Sequence, residues 1–132
     1  KWACCVLVVR AGRVVLTRNV VGRVGCVYRP GAVVACNVTH IAPFAVTEGI
    51  VAGAGRALAR GGLLVLYGPF VVSGRMMGEG NAAFDRGLRA ENPDWGLRDT
   101  ADIGDLAGMA GLSFAALTAM PANNHLLLFR KP

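Results

Sequence analysis

The chain has 132 residues, of which 54% are hydrophobic and 17% are charged, and it contains 18 glycines and four cysteines. This composition is typical of one globular domain rich in aliphatic side chains, and it excludes disordered, collagen-like and coiled-coil chains. No uninterrupted apolar run reaches the roughly 18 to 20 residues that a membrane-spanning helix needs, so we expect no membrane partner.

The formal net charge of +6 lies entirely in the first 30 residues. Those residues contain no acid, and their basic side chains are Lys1, Arg10, Arg13, Arg18, Arg23 and Arg29. Residues 31–132 contain equal numbers of basic and acidic side chains and are neutral. Because a neutral body has no field that attracts phosphates, we favour a small molecule or a protein over a nucleic acid as the partner.

Residues 1–30 admit three interpretations. Apolar runs at 6–9 and 14–17, on either side of Ala11-Gly12, are typical of a β-hairpin. An Arg-rich, acid-free start is also typical of an organellar transit peptide, although the amphipathic pattern is missing. The third interpretation is a mis-joined or out-of-frame segment. We therefore expect a cytoplasmic protein, with an organelle as the alternative if this segment is a targeting sequence.

The four cysteines, Cys4, Cys5, Cys26 and Cys36, form no C-x-x-C pair. We interpret them as reduced thiols of a cytosolic or organellar protein. Cys26, Cys36 and His40 together would offer three zinc ligands, but their spacing matches no common zinc motif. The sequence therefore predicts buried, apolar thiols and no metal.

From residue 31 onward the pattern predicts a strand–helix–strand unit. Continuous apolar runs at 31–36 and 63–67 are typical of strands covered on both faces. Between them, residues 45–60 follow a helical period, with Pro43 near the start and Gly61-Gly62 at the end. Gly68-Pro69 is expected to end the second strand. The fold class is therefore α/β with a parallel pair of strands.

The remainder predicts a loop, two helices and a closing antiparallel pair of strands. Residues 71–80 are expected to form a Gly-punctuated loop, and Asn81 to cap a helix that Asn92-Pro93 ends. Asp85 and Arg89 are expected to be an exposed pair on that helix. A further helix is predicted at 100–110, followed by strands at 112–119 and 125–129.

Ligands of open α/β sheets bind beyond the carboxyl ends of the parallel strands, which directs attention to residues 37–44 and 67–70. His40 is the only group in these segments that titrates near neutrality, so it is the candidate base. The alternative is a partly buried histidine, satisfied within the protein, that only caps the following helix. The same two alternatives, site or structure, apply to Trp95 with Arg98 and to Asn123 with Asn124.

Five strings follow one another in a fixed order, and together they closely resemble the methyltransferase-like 26 family of class I S-adenosylmethionine-dependent methyltransferases. They are Asn-Val-Thr-His-Ile-Ala-Pro-Phe at 37–44, Leu-Tyr-Gly-Pro-Phe at 66–70, Asn-Ala-Ala-Phe-Asp at 81–85, Asn-Pro-Asp-Trp-Gly-Leu-Arg-Asp at 92–99 and Met-Pro-Ala-Asn-Asn at 120–124. The resemblance covers about residues 31–132.

The resemblance implies a Rossmann-like sheet whose fourth and fifth strands are those at 32–36 and 63–67, closed by an antiparallel hairpin. It implies S-adenosylmethionine as the cofactor, with an unknown methyl acceptor. The cofactor-binding residues would be Asn37, Val38, Thr39 and His40, with His40 also as the catalytic candidate. The substrate residues that it implies are Tyr67, Gly68 and Pro69. To these we add, from their residue types and places in the chain, Asn81, Trp95, Arg98, Asn123 and Asn124 as candidate substrate residues.

The match departs from the family at the front of the cofactor site. The family pattern begins with a Gly-rich loop after the first strand, preceded by an acidic residue. A second acidic residue, at the end of the second strand, holds the ribose hydroxyls of the cofactor. Here the first acid is Glu48, and residues 1–31 contain no G-x-G. We therefore expect a truncated domain that is inactive alone, with N-terminal strands missing or replaced. The alternative is a non-catalytic remnant that acts as an interaction domain.

Overall fold

A computed structural model describes the backbone of residues 5–10 and 13–16 and the whole of residues 29–132. The elements in chain order are β1 (Cys5–Arg10), β2 (Arg13–Leu16), β3 (Ala32–Cys36), α1 (Phe44–Ala57), β4 (Leu63–Val72), β5 (Arg75–Met76), α2 (Glu79–Glu91), β6 (Arg98–Asp99), α3 (Thr100–Met109), β7 (Ser113–Met120) and β8 (Asn124–Arg130).

The main sheet has the strand order β2-β1-β3-β4-β8-β7. The β3 and β4 strands are parallel and are joined through α1, which confirms the predicted strand–helix–strand unit. The β8 strand runs antiparallel to β4, and β7 runs antiparallel to β8, which confirms the closing hairpin. The β1 and β2 strands pair with each other as a hairpin, and β1 also pairs with β3 in antiparallel orientation. The fold is therefore a mixed α/β sheet.

The hydrophobic core lies between the sheet and the helices α1 and α3. Every second residue of β3, of β8 and of the first six positions of β4 is buried, because successive side chains of a strand point to opposite faces. The strands contribute Val33, Ala35, Leu64, Leu66, Leu127 and Phe129 to this core. The helices contribute Ile50, Val51, Ala54, Ile103 and Ala107.

The two helices approach each other closely at Gly55. A Cβ atom added there would lie 2.9 Å from the Cβ of Ala110 and would also contact the Ala110 carbonyl oxygen. Since real Cβ atoms do not approach that closely, only glycine fits at this position. Gly55 therefore lies where α1 packs closely against the end of α3.

The prediction that Gly68-Pro69 ends the second strand is wrong, because β4 continues to Val72. The Tyr67 carbonyl oxygen faces β3 and accepts a hydrogen bond from the Asn37 N–H, at 2.8 Å. In a strand, the backbone groups of residues two positions apart face the same neighbouring strand. The nitrogen of Pro69 therefore also points towards β3. The paired part of β3 has already ended at Cys36. Proline's missing N–H therefore costs no hydrogen bond between these two strands.

The predicted loop at 71–80 is also wrong in part, because β4 turns back into β5. Ser73 and Gly74 both have positive φ, 48° and 80°, as the two central residues of a tight hairpin turn require. The next helix begins at Glu79 with Gly78 at its N-cap. Asn81 is therefore not the cap that the sequence suggested, and its buried side chain is used elsewhere.

The first helix ends at Ala57, three residues before the predicted end. Leu58 leaves the helical conformation and its side chain is fully buried. The Ala59 N–H then donates to the Pro30 carbonyl oxygen at 2.9 Å. Burial of Leu58 and this tertiary hydrogen bond account for the early end. The bounds of α3, β7 and β8 lie within one residue of the predicted ones.

Among the described residues, no helix is both long enough and apolar enough to cross a membrane.

Candidate functional site

The segments that follow β3 and β4 lie side by side at the carboxyl edge of the parallel pair. The last pair of the register is Cys36 with Tyr67, and the hydrogen bond from Asn37 to Tyr67 continues it. Asn37 takes a positive φ of 54°, so the chain bends sharply as soon as the strand ends. The structure thus brings residues 37–40 next to residues 67–69.

His40 is the buried polar group at the centre of this edge. Its side chain is only 2% exposed, and its Nδ1 atom is buried without a hydrogen-bond partner among the described residues. The imidazole packs edge-on against the ring of Phe84, with 5.6 Å between centroids. A Cβ atom on Gly68 would lie 3.5 Å from His40 Nδ1, which places the backbone of Gly68 against the imidazole.

Burial keeps the imidazole of His40 neutral. Desolvation lowers its pKa from 6.5 to about 4, and the positive charge of Arg98 adds to this effect. At neutral pH the ring therefore carries one N–H and one lone pair, so it can both donate and accept a hydrogen bond.

Arg98 holds the segment after β3 in place. Its Nε donates to the Thr39 carbonyl oxygen at 3.0 Å, and its Nη2 donates to the carbonyl oxygens of Ala42 at 2.8 Å and Asp94 at 2.6 Å. The guanidinium carbon lies 5.5 Å from the ring centroid of Phe44. Since these donors satisfy three backbone carbonyls, the structure gives Arg98 a structural role at this edge.

Asp85 supports the same segment from α2. Its Oδ1 accepts the Leu97 N–H at 2.8 Å, and its Oδ2 accepts the Nε of Arg89 at 2.9 Å. The side chain of Asp85 is only 14% exposed, against 50% for Arg89. The prediction of an exposed pair is therefore wrong for Asp85, because the carboxylate binds the backbone that precedes Arg98.

A second group of predicted site residues surrounds the turn between β7 and β8. Asn81 is 5% exposed, and its Nδ2 donates to the Asn123 carbonyl oxygen at 3.0 Å. Asn124 donates from its Nδ2 to the Pro121 carbonyl oxygen at 3.2 Å. Ala122 and Asn123 both have positive φ. Turn geometry thus accounts for these amides, and the register places Asn124 opposite Pro69 in β4.

The remaining predicted residues have simpler places. Val38 and Thr39 are buried, and Trp95 is half-buried with its backbone N–H bonded to the Asn92 carbonyl oxygen at 3.0 Å. Arg98 lines a cavity of about 400 Å³, whose other walls are Phe44, Val71, Arg89, Leu97, Asp99 and Asp102.

Sequence reasoning missed His125 as a site residue. It lies in β8 directly opposite Gly68, is 6% exposed, and has a buried Nδ1 without a hydrogen-bond partner among the described residues. The local sequence signal is weak, because His125 stands at the start of an aliphatic strand. Only the register of β8 on β4 brings it to the place where His40 also lies.

A metal centre finds no support in the part of the chain that the structure describes. There, no three side chains of His, Cys, Asp or Glu lie close enough together to hold an ion. Cys26, one of the three residues considered for zinc, lies outside the described residues.

We expect Arg98→Lys to lower the free energy of unfolding by about 1 to 2 kcal/mol. A single ammonium group cannot donate to all three backbone carbonyl oxygens that the guanidinium of Arg98 binds. Arg86→Lys, on the exposed face of α2, is the matched control and should change it by less than about 0.5 kcal/mol. Urea unfolding measures both. Equal effects of the two substitutions would contradict the structural role of Arg98.

Comparison with known proteins identifies the family. The family model described as "Protein of unknown function (DUF938)" matches residues 16–131, which is most of the chain. The chain belongs to this DUF938 family. The match includes the strands β3 to β8 and all the candidate site residues.

Solved structures show the fold that this DUF938 chain shares. An O-methyltransferase family 2 protein from Planctomyces limnophilus, solved with apigenin, is 19% identical and superposes with a TM-score of 0.71, covering 83% of this chain and 32% of its own. Human N-acetylserotonin methyltransferase, solved with S-adenosylmethionine, is 13% identical and superposes with a TM-score of 0.67. The match covers 80% of this chain and 30% of the human protein. An O-methyltransferase family protein from Burkholderia thailandensis is 16% identical and superposes with a TM-score of 0.65. The match covers 78% of this chain and 30% of that protein.

These likenesses establish a class I methyltransferase fold for this DUF938 chain. The chain spans about a third of the length of the solved structures that it matches. At such low identity the likeness concerns the fold alone.

Proposed function

We propose that this chain forms one wall of an S-adenosylmethionine-dependent methyltransferase site, in a protein of the methyltransferase-like 26 type. The observation that carries the proposal is the buried Nδ1 of His40, which lies at the carboxyl edge of a parallel strand pair and has no hydrogen-bond partner among the described residues. In open α/β sheets this edge is where ligands bind, and a buried polar atom needs a partner from the protein or from a ligand.

The residues at this edge fit a nucleoside-type cofactor. Residues 37–40 follow β3 in a sharp bend, and Gly68 has no side chain to fill the space in front of them. The bound cofactor would supply a methyl group on a sulfonium. The protein would contribute binding by Asn37, Val38, Thr39 and His40, orientation of the acceptor by residues 67–69, and exclusion of water by the Phe84 ring.

His40 is the proposed group for the acceptor's proton. A neutral imidazole at pH 7 offers a lone pair to a hydroxyl. Although a pKa of about 4 makes it a weak base, an oxygen that is gaining a methyl group becomes positively charged and loses its proton readily. A low pKa is therefore compatible with this role.

The other wall of the cleft would require a Gly-rich loop. Residues 1–31 contain no G-x-G, and the first acid of the chain is Glu48. We therefore propose that this polypeptide alone holds the cofactor only through residues 37–40 and their neighbours. Within the described residues, no observation favours the alternative of a non-catalytic interaction domain.

We expect S-adenosylmethionine to bind the 132-residue chain with a dissociation constant well above about 100 μM, since half of the cradle is lacking. Calorimetry at micromolar concentrations should detect no binding. In an NMR titration to millimolar concentration, the backbone amides of residues 37–40 and 67–68 should shift, whereas those of Ala52 and Met109, in the groove between α1 and α3, should not.

Two results would contradict this proposal. Saturable micromolar binding would show that other residues complete the cradle. Absence of shifts at residues 37–40, or shifts confined to the groove between the helices, would show that the carboxyl edge does not hold the cofactor.

Because residues 31–132 are neutral, we favour a small molecule or a protein over a nucleic acid as the methyl acceptor. We propose the cytoplasm as the compartment, with an organelle as the alternative if residues 1–30 act as a targeting sequence.

A further inference from the structure

Two buried imidazoles border the same backbone position, Gly68. His40 Nδ1 lies 3.5 Å from the point that a Cβ of Gly68 would occupy. His125 is the register partner of Gly68 on the neighbouring antiparallel strand. Residues directly opposite each other in such a pair project to the same face, with Cβ positions about 4.5 to 5.5 Å apart. Both imidazoles therefore flank the space that the absent side chain of Gly68 leaves.

One nitrogen of each of these imidazoles has no hydrogen-bond partner within the described residues. The Nδ1 atoms of His40 and His125 are both buried without a partner there, and each side chain is more than nine-tenths buried. Leaving a buried polar atom unpaired costs about 1 to 3 kcal/mol. Two such atoms beside one glycine indicate a place that a ligand's polar group completes.

The electrostatics of the place favour an uncharged ligand group. The nearby cation, Arg98, already donates to three backbone carbonyl oxygens. His40 remains neutral at pH 7 because burial lowers its pKa. A carboxylate or phosphate would find no unoccupied positive charge among these groups, whereas a hydroxyl matches one lone pair and one N–H.

The neighbouring surface is aromatic. The ring of Phe84 contacts the imidazole of His40 edge-on, with 5.6 Å between the ring centroids. Flat aromatic groups pack well in such surroundings, through offset or edge-to-face contacts.

We propose that His125 and His40 together bind the hydroxyl group of a small aromatic methyl acceptor, with His125 as a substrate-orienting residue. This inference rests on the proposed function and names the acceptor class of the same site. His40 accepts the hydroxyl hydrogen bond, and the N–H of His125 donates to the same oxygen. The second lone pair of that oxygen remains directed at the methyl donor.

The transfer step balances in atoms and charge. The acceptor oxygen forms a bond to the methyl carbon while the carbon–sulfur bond of the sulfonium donor breaks, and its electron pair returns to sulfur to give a neutral thioether. The hydroxyl proton passes to His40 and then to solvent. The products are a methyl ether, the thioether and one proton.

Imidazole NMR spectra test this proposal without the cofactor. The chain contains only two histidines, so long-range proton–nitrogen spectra of the ¹⁵N-labelled chain report on both rings, and the variants His40→Gln and His125→Asn assign them. Phenol is the probe, and anisole, which lacks the O–H, is its matched control. Phenol should shift the ring nitrogens of both histidines saturably, and anisole and benzoate should not.

We expect His125→Asn to weaken phenol binding about tenfold, the loss of one hydrogen bond, as read from the His40 ring signals. Glu48→Gln, on the exposed face of α1, should leave phenol binding unchanged. Phenol shifts in the wild-type chain at only one imidazole, equal shifts by anisole, or unchanged phenol affinity in His125→Asn would each overturn the proposal.

The two titrations separate this inference from the proposed function. Cofactor shifts at residues 37–40 without phenol shifts at the imidazoles would remove the hydroxyl site and leave the proposed function in place. Phenol shifts without cofactor shifts would support the hydroxyl site and count against the methyltransferase assignment.

Discussion

Acidification from pH 7 to pH 4 is expected to destabilise this protein by about 2 to 3 kcal/mol through His40 alone. The pKa of the buried imidazole is about 4, against 6.5 in the unfolded chain, because of desolvation and the nearby charge of Arg98. Below pH 6.5 the imidazole of His40 binds a proton in the unfolded chain, whereas in the folded protein it stays neutral until the pH approaches 4. The stability contribution is therefore complete above pH 6.5 and is lost as the pH falls towards 4.

A comparison of wild type with His40→Gln isolates this effect. Carboxylates also titrate in acid, but they do so equally in both proteins, so the difference between the two unfolding free energies reports on the imidazole. That difference should change by about 2 to 3 kcal/mol between pH 7 and pH 4. A difference that stays constant with pH, or an NMR pKa of His40 near 6.5, would contradict the burial described here.

Gly55→Ala should destabilise the protein by about 2 to 3 kcal/mol, whereas Gly49→Ala in the same helix should stabilise it by up to about 1 kcal/mol. The new Cβ at position 55 would meet the backbone of Ala110, and α1 and α3 would have to move apart. At position 49 nothing lies within 4 Å of the new atom, so only the gain in helix propensity remains.

Thermal or urea unfolding of the two variants measures these opposite signs. Because both substitutions lie in α1 and make the same chemical change, differences in the unfolded chain cancel to first order. If Gly55→Ala were as stable as Gly49→Ala, the close packing of α1 against α3 would be refuted.

Local pattern was sufficient for the parts of the fold that bury continuous apolar runs. The strands at 32–36 and 63–67 follow from such runs. The helix between them follows from its helical period, and the two strands of the closing hairpin follow from the short segments on either side of the turn at 121–124. The continuation of β4 through Gly68-Pro69 could not be predicted in the same way. Whether a proline interrupts a sheet depends on which neighbour its nitrogen faces and where that neighbour ends, and here the neighbour is β3, ending at Cys36.

The candidate site shows the same division. The meeting of residues 37–40 with 67–69 follows from the rule that parallel strands end at one edge. Asn81 has the residue type of a helix cap, and only the tertiary structure shows that its amide instead bonds to Asn123, 42 positions along the chain. His125 carries only a weak local signal, since its position opposite Gly68 depends on the register of two strands far apart in sequence.

The uninterrupted course of β4 has a consequence for the thermodynamics of ligand binding. Leu64 and Leu66 anchor the first half of this strand in the interior, and Gly68 and Pro69 continue the same extended backbone, paired to β8. A segment held in this way is preorganised, so little conformational entropy is lost when it meets a guest molecule. Residues 67–69 should therefore keep the same conformation with and without a ligand, and discriminate between ligands by their shape and not by a conformational change.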